Sequence, residues 1–130
     1  DQPGPYQIQA AIQAVHCDAD SFEATEWAQI VALYDHLFSV LPTPVVALNR
    51  AIAIGEVDGP GAALTALDAI ASDLDNYHLM HATRGTTWRR LGQRDAAMAA
   101  YERAAHLAAT ETDQRFLAQQ IEELEAQKAR

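Results

Sequence analysis

The sequence is poor in the residues from which disulfide-stapled and turn-rich folds are built. It contains one cysteine, Cys17, so no disulfide can form within the chain. Six glycines and five prolines in 130 residues supply few turns for a β-sandwich or a barrel. Aromatic residues make up 7% of a chain that is 49% hydrophobic, so its core must be built mainly from Ala, Leu, Ile and Val.

Features of exported and membrane-spanning proteins are also missing. No apolar run approaches the roughly 20 residues that a membrane span needs. No basic stretch followed by an apolar one opens the sequence. With the single thiol, these features predict a cytoplasmic location. Because the sequence begins at Asp1 rather than at Met, we expect it to be a piece of a longer protein.

Basic residues are scarce in the first two thirds of the chain. The whole sequence has a formal net charge of −9. Residues 1–83 hold eleven acids and one base, Arg50, whereas residues 84–130 hold seven acids and eight bases. An acidic module repels phosphate, so direct binding of DNA or RNA is not expected.

One short stretch is an exception to this acidic character. It forms a basic patch with no acid between its members: Arg84, Arg89, Arg90 and Arg94. Two interpretations stay open. Cations near the C-terminus of a helix stabilise its dipole. Alternatively, the basic patch docks an acidic segment, either of a partner or of the same full-length chain.

Apolar residues recur at helical spacing along most of the chain. The clearest stripe consists of Trp27, Ile30, Val31, Tyr34, Leu37, Phe38 and Leu41. Prolines suited to a first helical turn occur at Pro5, Pro44 and Pro60, and Thr43 is a suitable cap. Gly92 favours a left-handed C-cap. The predicted helices are 5–17, 27–41, 44–56, 60–71, the segment between Asn76 and Gly92, 94–109, and a last helix from 112 or 113 to 129.

Two segments repeat each other at a fixed distance. The matching pairs are Ala51 and Gly85, Ile54 and Trp88, Ala63 and Ala97, Leu67 and Tyr101, and Ile70 and Ala104, each 34 residues apart. This is the period of the tetratricopeptide (TPR) repeat, in which small residues let two helices cross closely. We assign the packing of the hairpins to the residues at template positions: Ala51, Ala63, Gly85, Trp88, Ala97 and Tyr101.

The predicted fold is therefore all-α, with about seven antiparallel helices stacked as TPR-like hairpins. We expect a single domain over residues 1–130. It consists of a degenerate hairpin at 5–41, repeats at 44–71 and 76–109, and a capping helix at 112–129. An insertion around residues 18–26 puts the first hairpin out of phase with the repeat.

The same template predicts a groove that binds a partner. In a TPR stack, the first helix of each hairpin lines a concave groove that receives an extended peptide or another helix. Asn49 of the third helix and Thr83, Thr86 and Arg90 of the fifth occupy such positions. An Asn amide donates to and accepts from a peptide backbone. Asn49 equally suits a cap or a bridge between helices.

Residues with catalytic or metal-binding chemistry are too few or badly placed. Adjacent residues on a helix point about 100° apart, so His16 and Cys17 cannot share a proton well. His78 and His81 offer two metal ligands, with no cysteine or acid pair to complete a tetrahedron. We therefore expect no metal, no cofactor and no enzymatic activity.

Several strings carry a more specific pattern than the repeat. They are GPYQIQAAI at 4–12, IVALYD at 30–35, PVVALNRA at 44–51, YHL at 77–79 and RFL at 115–117. In this order they resemble the C-terminal extension of a subgroup of bacterial extracytoplasmic-function (ECF) RNA polymerase sigma factors. That subgroup carries a long TPR-like tail behind its two sigma regions.

This resemblance implies a regulatory module attached to a transcription initiation factor. The regions that bind core polymerase and promoter DNA would lie outside this sequence. Similar sigma factors generally lack a conventional membrane anti-sigma partner. The implied partners of the tail are therefore its own sigma regions or RNA polymerase.

Three hypotheses of function stay open from the sequence. The leading one is the regulatory, protein-interaction domain of an ECF sigma factor. The second is a stand-alone TPR adaptor that binds a peptide of an unrelated protein. The third is a small-molecule-binding sensor or enzyme whose pocket is lined by Tyr6, His16, Tyr34 and His78.

Overall fold

The computed structural model describes residues 4–18 and 26–129, and it is built from α-helices. The seven helices within these residues are α1 (Pro5–Asp18), α2 (Trp27–Val40), α3 (Pro44–Asp58), α4 (Pro60–Asp68), α5 (His78–Arg90), α6 (Arg94–Leu107) and α7 (Glu111–Ala129). No strand occurs in the described ranges. The prediction of an all-α fold is confirmed. Most of the predicted insertion at 18–26 lies outside the described residues.

The predicted signals at the ends of α3 and α5 are present in the structure. Thr43 precedes α3, and its Oγ1 accepts a hydrogen bond from the Val46 N–H at 3.2 Å. Pro44 follows at the first helical position, where no N–H is needed. After α5, Gly92 has a φ of 76°, the left-handed conformation that Gly adopts without strain.

Most of the predicted helix boundaries differ from the structure by one to three residues, and the largest difference is the end of α4 at Asp68 rather than at 71. Helix α7 begins at Glu111 rather than at 112 or 113, because the Thr110 side chain caps it by accepting from the Asp113 N–H at 3.1 Å. Helix α5 follows Tyr77, and no side chain caps its N-terminus. The segment between α4 and α5 contains a 3-10 turn at Ser72–Leu74, in which Leu74 is buried.

The helices divide into two compact units, unit 1 (Asp1–Ala66) and unit 2 (Leu67–Arg130). In unit 1, α2 packs against both α1 and α3. Its core contains Ile8 and Ile12 of α1, Ile30 and Leu37 of α2, and Val46 and Ala53 of α3. Burial of these apolar side chains is the main force that holds the three helices together.

In unit 2, α6 packs against both α5 and α7. The core contains Ala97, Tyr101, Ala104, Ala108, Leu117 and Leu124. A Cβ added to Gly85 of α5 would lie 2.7 Å from Cδ1 of the Tyr101 ring. The Tyr101 side chain is 1% exposed and belongs to the core of unit 2. Gly85 therefore sets how closely α5 approaches α6.

Replacing Gly85 with Leu should destabilise the protein, because the new side chain must displace the buried Tyr101 ring. Overpacking of this kind costs about 1–3 kcal/mol, which corresponds to a fall of several degrees in Tm. Thermal unfolding followed by circular dichroism measures this change.

The matched control is Gly61→Leu on α4. A Cβ at Gly61 meets no atom within 4 Å, and the position is exposed. This variant should change the free energy of unfolding by no more than about 0.5 kcal/mol. If both variants melted like the unsubstituted protein, the close approach of α5 and α6 through Gly85 would be refuted.

Candidate functional site

A cleft of about 450 Å³ opens in unit 1 where α1, α2 and α3 meet. We name it the amide cleft after the three primary amides in its wall. Its lining residues are Gln9, Ile12 and Gln13 of α1, Tyr34 and Leu37 of α2, Leu41 and Thr43 of the following turn, and Val45, Val46 and Asn49 of α3.

The amides of the cleft come from two helices that both pack on α2. Gln9 and Gln13 are four residues apart on α1, so they share one face of that helix. Asn49 lies on α3, and all three side chains are exposed. Each primary amide offers two N–H donors and a carbonyl acceptor. The wall of the cleft can therefore both donate and accept hydrogen bonds without carrying charge.

The floor of the amide cleft is apolar and belongs to the core of unit 1. Ile12, Leu37 and Val46 line the cleft, and each of them is buried. Val45 stands at the rim with 44% of its surface exposed. Because the floor residues are held by packing on three helices, the cleft is formed before any ligand enters.

Tyr34 supplies a hydroxyl group to the same cleft. Burial of the ring raises the pKa of Tyr34 above its usual value, because a phenolate would be poorly solvated there. The hydroxyl group is therefore protonated at neutral pH. It adds a neutral donor and acceptor to the three amides.

Within the part of the chain that the structure describes, no Lys, Arg, Asp or Glu lines the amide cleft. The charged residue next to Asn49 in sequence is Arg50, and its Nε donates to Oδ1 of Asp35 on α2. This ion pair lies outside the lining and neutralises the guanidinium group. The cleft thus provides uncharged polar groups above an apolar floor.

A second and smaller cleft lies in unit 2 between α5 and α7. It has a volume of about 190 Å³ and is lined by His78, Leu79, Ala82, Asp113, Phe116 and Leu117. Leu79 and Phe116 are 42% and 53% exposed. Nε2 of His78 lies 3.4 Å from Oδ2 of Asp113. This α5–α7 cleft is mostly apolar, with one imidazole–carboxylate pair.

The residues predicted to line a groove differ in their surroundings. Asn49 lines the amide cleft of unit 1. In unit 2, Thr83 is half-buried and Arg90 is exposed. The hydroxyl groups of Thr86 and Tyr101 share a hydrogen bond of 2.8 Å, so Thr86 helps to join α5 to α6.

Three members of the basic patch form ion pairs within unit 2. Arg84 donates to Oδ1 of Asp68 at 2.6 Å. Arg89 reaches α7, where it donates to Gln120 Oε1 at 2.5 Å and to Glu123 Oε2 at 3.0 Å. Nη2 of Arg94 lies 3.4 Å from Oδ1 of its neighbour Asp95. The sequence shows four arginines without an acid between them, but other parts of the chain supply the carboxylates.

The residues assigned to hairpin packing occupy interior positions. Ala51, Ala63, Ala97 and Tyr101 are all buried, as is Gly85. Trp88 is half-buried and packs against the core of unit 2.

The residues weighed for catalysis or for a small-molecule pocket are dispersed. The His16 ring contacts Trp27 edge-on at a centroid distance of 5.3 Å, and Cys17 is exposed. Tyr6 is 86% exposed, and of the four proposed pocket residues only Tyr34 lines the amide cleft. In the described ranges, no group of three or more His, Cys, Asp or Glu could hold a metal ion.

Sequence reasoning did not select the two glutamines of the amide cleft. Both lie outside the apolar stripe of the first helix, and no motif in the sequence assigns them a role. Their spacing of four residues on one exposed face was the available signal. What the sequence could not supply was the position of that face beside α3.

Comparison with known proteins supports the fold and leaves the family open. No protein-family model matches the chain. An uncharacterized protein of Rhizobium meliloti (strain 1021) is 40% identical over 128 residues, which are 98% of this chain. The chain spans about 30% of the length of that relative.

None of the helices in the described part of the chain is long and apolar enough to cross a membrane.

A solved structure with a similar fold is the first TPR domain of Spaghetti (RPAP3), bound to the HSP90 peptide SRMEEVD. The TM-score is 0.74 and the sequence identity is 16%, and the match covers 100% of this chain and 97% of the other. The helices of this chain therefore adopt a TPR-like fold.

Proposed function

We propose that this chain is a protein-interaction module that binds an extended peptide segment of a partner in the amide cleft. The observation that carries the proposal is the placement of Gln9, Gln13 and Asn49 above a buried apolar floor. An extended peptide presents one N–H and one C=O for each residue other than proline. Primary amides can pair with both groups.

The dimensions and the rigidity of the cleft suit such a ligand. Its volume of about 450 Å³ is within the usual range of ligand-binding clefts. The floor formed by Ile12, Leu37 and Val46 can accept an apolar side chain of the peptide. Because the floor is part of the packed core, the domain loses little conformational entropy when the peptide binds. The cost of ordering falls mainly on the peptide.

The fold comparison gives independent support. The structurally similar TPR domain is bound to a peptide, SRMEEVD. A TPR-like domain that binds a peptide is therefore a reasonable precedent for this chain. That peptide contains three acidic residues, whereas no cation lines the amide cleft. The peptide that this chain binds should accordingly be less acidic than SRMEEVD.

The small-molecule and enzymatic hypotheses have less support. An acid–base mechanism needs titratable groups within hydrogen-bonding reach of one another. The amide cleft is lined by amides, hydroxyl groups and aliphatic side chains. These groups can orient a ligand by hydrogen bonds, which is what peptide recognition requires.

Replacing Asn49 with Ala should weaken peptide binding, because one donor and one acceptor in the wall are lost. A hydrogen-bonding side chain contributes about 0.5–1.5 kcal/mol, so Kd should rise about 2- to 12-fold. The double variant with Gln9→Ala should weaken binding further. Isothermal titration calorimetry with a peptide obtained by selection on the whole chain measures both effects.

The matched control is Gln29→Ala, which removes an exposed amide of α2 outside the cleft lining. This control should bind the peptide like the unsubstituted chain. A peptide that bound all of these variants equally well would show that the ligand lies elsewhere.

A second and finer proposal is that the module is the regulatory tail of an ECF sigma factor. One observation favours it. The strings at 4–12, 30–35 and 44–51 each contribute to the lining of the amide cleft, through Gln9, Tyr34 and Asn49 respectively. The strings at 77–79 and 115–117 both line the α5–α7 cleft. Gln9 and Asn49 are exposed, so core packing alone does not require them.

A promoter-reporter assay tests this second proposal. It compares the full-length parent protein with a version truncated before Gly4 and with the Asn49→Ala variant. If the tail regulates the sigma regions, truncation should change reporter output at equal protein level. The Asn49 variant should shift output in the same direction but less. Identical output from the parent and the truncated protein would exclude the regulatory role without affecting the peptide-binding proposal.

A further inference from the structure

We infer that the amide cleft selects a basic segment, with an apolar residue flanked by Lys or Arg, and rejects an acidic one. This inference rests on the proposed peptide-binding function and adds the chemical class of the ligand. It is carried by the charges of unit 1, by the chemistry of the lining and by the capped end of α3.

Unit 1 is strongly acidic. Residues 1–66 contain eight Asp and Glu residues and one Lys or Arg, which gives a formal net charge of −7. The single base is Arg50, and its guanidinium group is paired with Asp35. A field of this sign attracts a basic segment and repels an acidic one over about 8 Å at physiological ionic strength.

The lining of the cleft offers nothing to a carboxylate except neutral donors. A buried carboxylate loses its hydration, and neutral amide donors recover less of this cost than a cation does, because only a cation adds a charge–charge attraction. Among the described residues of the lining there is no cation. Lys and Arg avoid this cost, because their apolar stems can lie along the floor while their charged ends remain in water.

The N-terminus of α3 borders the cleft, and the dipole of a helix favours an anion at this end. Its first residue, Pro44, has no N–H. The N–H of Val46 is bonded to Oγ1 of Thr43 at 3.2 Å. Two of the first three positions of α3 therefore have no N–H to offer an anion. The N-terminus of α3 therefore does not compensate for the repulsion that the net negative charge of unit 1 exerts on an anion.

A random octapeptide phage library tests the inference. It is selected in parallel on the whole chain and on the Asn49→Ala variant. Peptides that bind the first and not the second report on the cleft. These peptides should be enriched in Lys and Arg on either side of an apolar residue.

Enrichment in Asp and Glu, or no charge bias, would overturn the inference and leave the peptide-binding proposal intact. Failure to recover any Asn49-dependent peptide would overturn both. The two failures are therefore distinguishable in one experiment.

Charge reversal of a selected peptide gives the quantitative test. Fluorescence anisotropy should show that replacing its Lys and Arg residues with Glu weakens binding about tenfold or more at low salt. The difference should shrink in about 1 M salt, where the screening length is about 3 Å. Equal affinity of the two peptides at low salt would contradict the inference.

A cation placed inside the cleft should reverse the preference. With Asn49→Lys, the basic peptide should bind more weakly and the charge-reversed peptide more tightly than they bind the unsubstituted chain. The matched control Gln29→Lys adds the same charge to unit 1 on α2, outside the lining. If both variants changed the relative affinity for the two peptides equally, the net charge of unit 1 would explain the selectivity without a role for the cleft. The assignment of the selectivity to this site would then fail.

Discussion

Burial of the apolar stripe of α2 against both α1 and α3 is the interaction on which the candidate site depends. Ile30 and Leu37 of α2 pack with Ile8 and Ile12 on one side and with Val46 on the other. This arrangement leaves the polar faces of α1 and α3 on either side of a shared apolar floor. The amide cleft is therefore mainly a consequence of how the three helices pack, and Leu41 and Thr43 of the turn between α2 and α3 complete its lining.

Much of the fold could be predicted from the sequence, because local signals and packing agree. Pro44 and Gly92 mark helix ends through their own backbone chemistry, and a repeat at 34 residues reflects the close approach at Gly85. Contacts between distant parts of the chain could not be predicted in this way. Periodicity identifies the buried face of a helix, but it does not show that Arg89 reaches Glu123 on α7.

The candidate site was predictable only in part, for the same reason. Asn49 could be selected because a repeat template assigns its position. Gln9 and Gln13 belong to the hairpin that departs from the repeat, so no template pointed to them. Their role emerges from the packing of α1 and α3 on α2, which brings residues about 40 positions apart to one cleft. Three of the strings that resemble the ECF sigma factor tail, at 4–12, 30–35 and 44–51, contribute residues to this cleft.

The most direct test of the account is an NMR titration of the whole chain with a selected basic octapeptide, observing the side-chain NH₂ signals. The account predicts that the signals of Gln9, Gln13 and Asn49 shift together with one Kd, because all three amides line the cleft. The signal of Gln29, outside the lining, should remain in place. If the peptide bound while the three cleft amides kept their positions, the central claim would be contradicted.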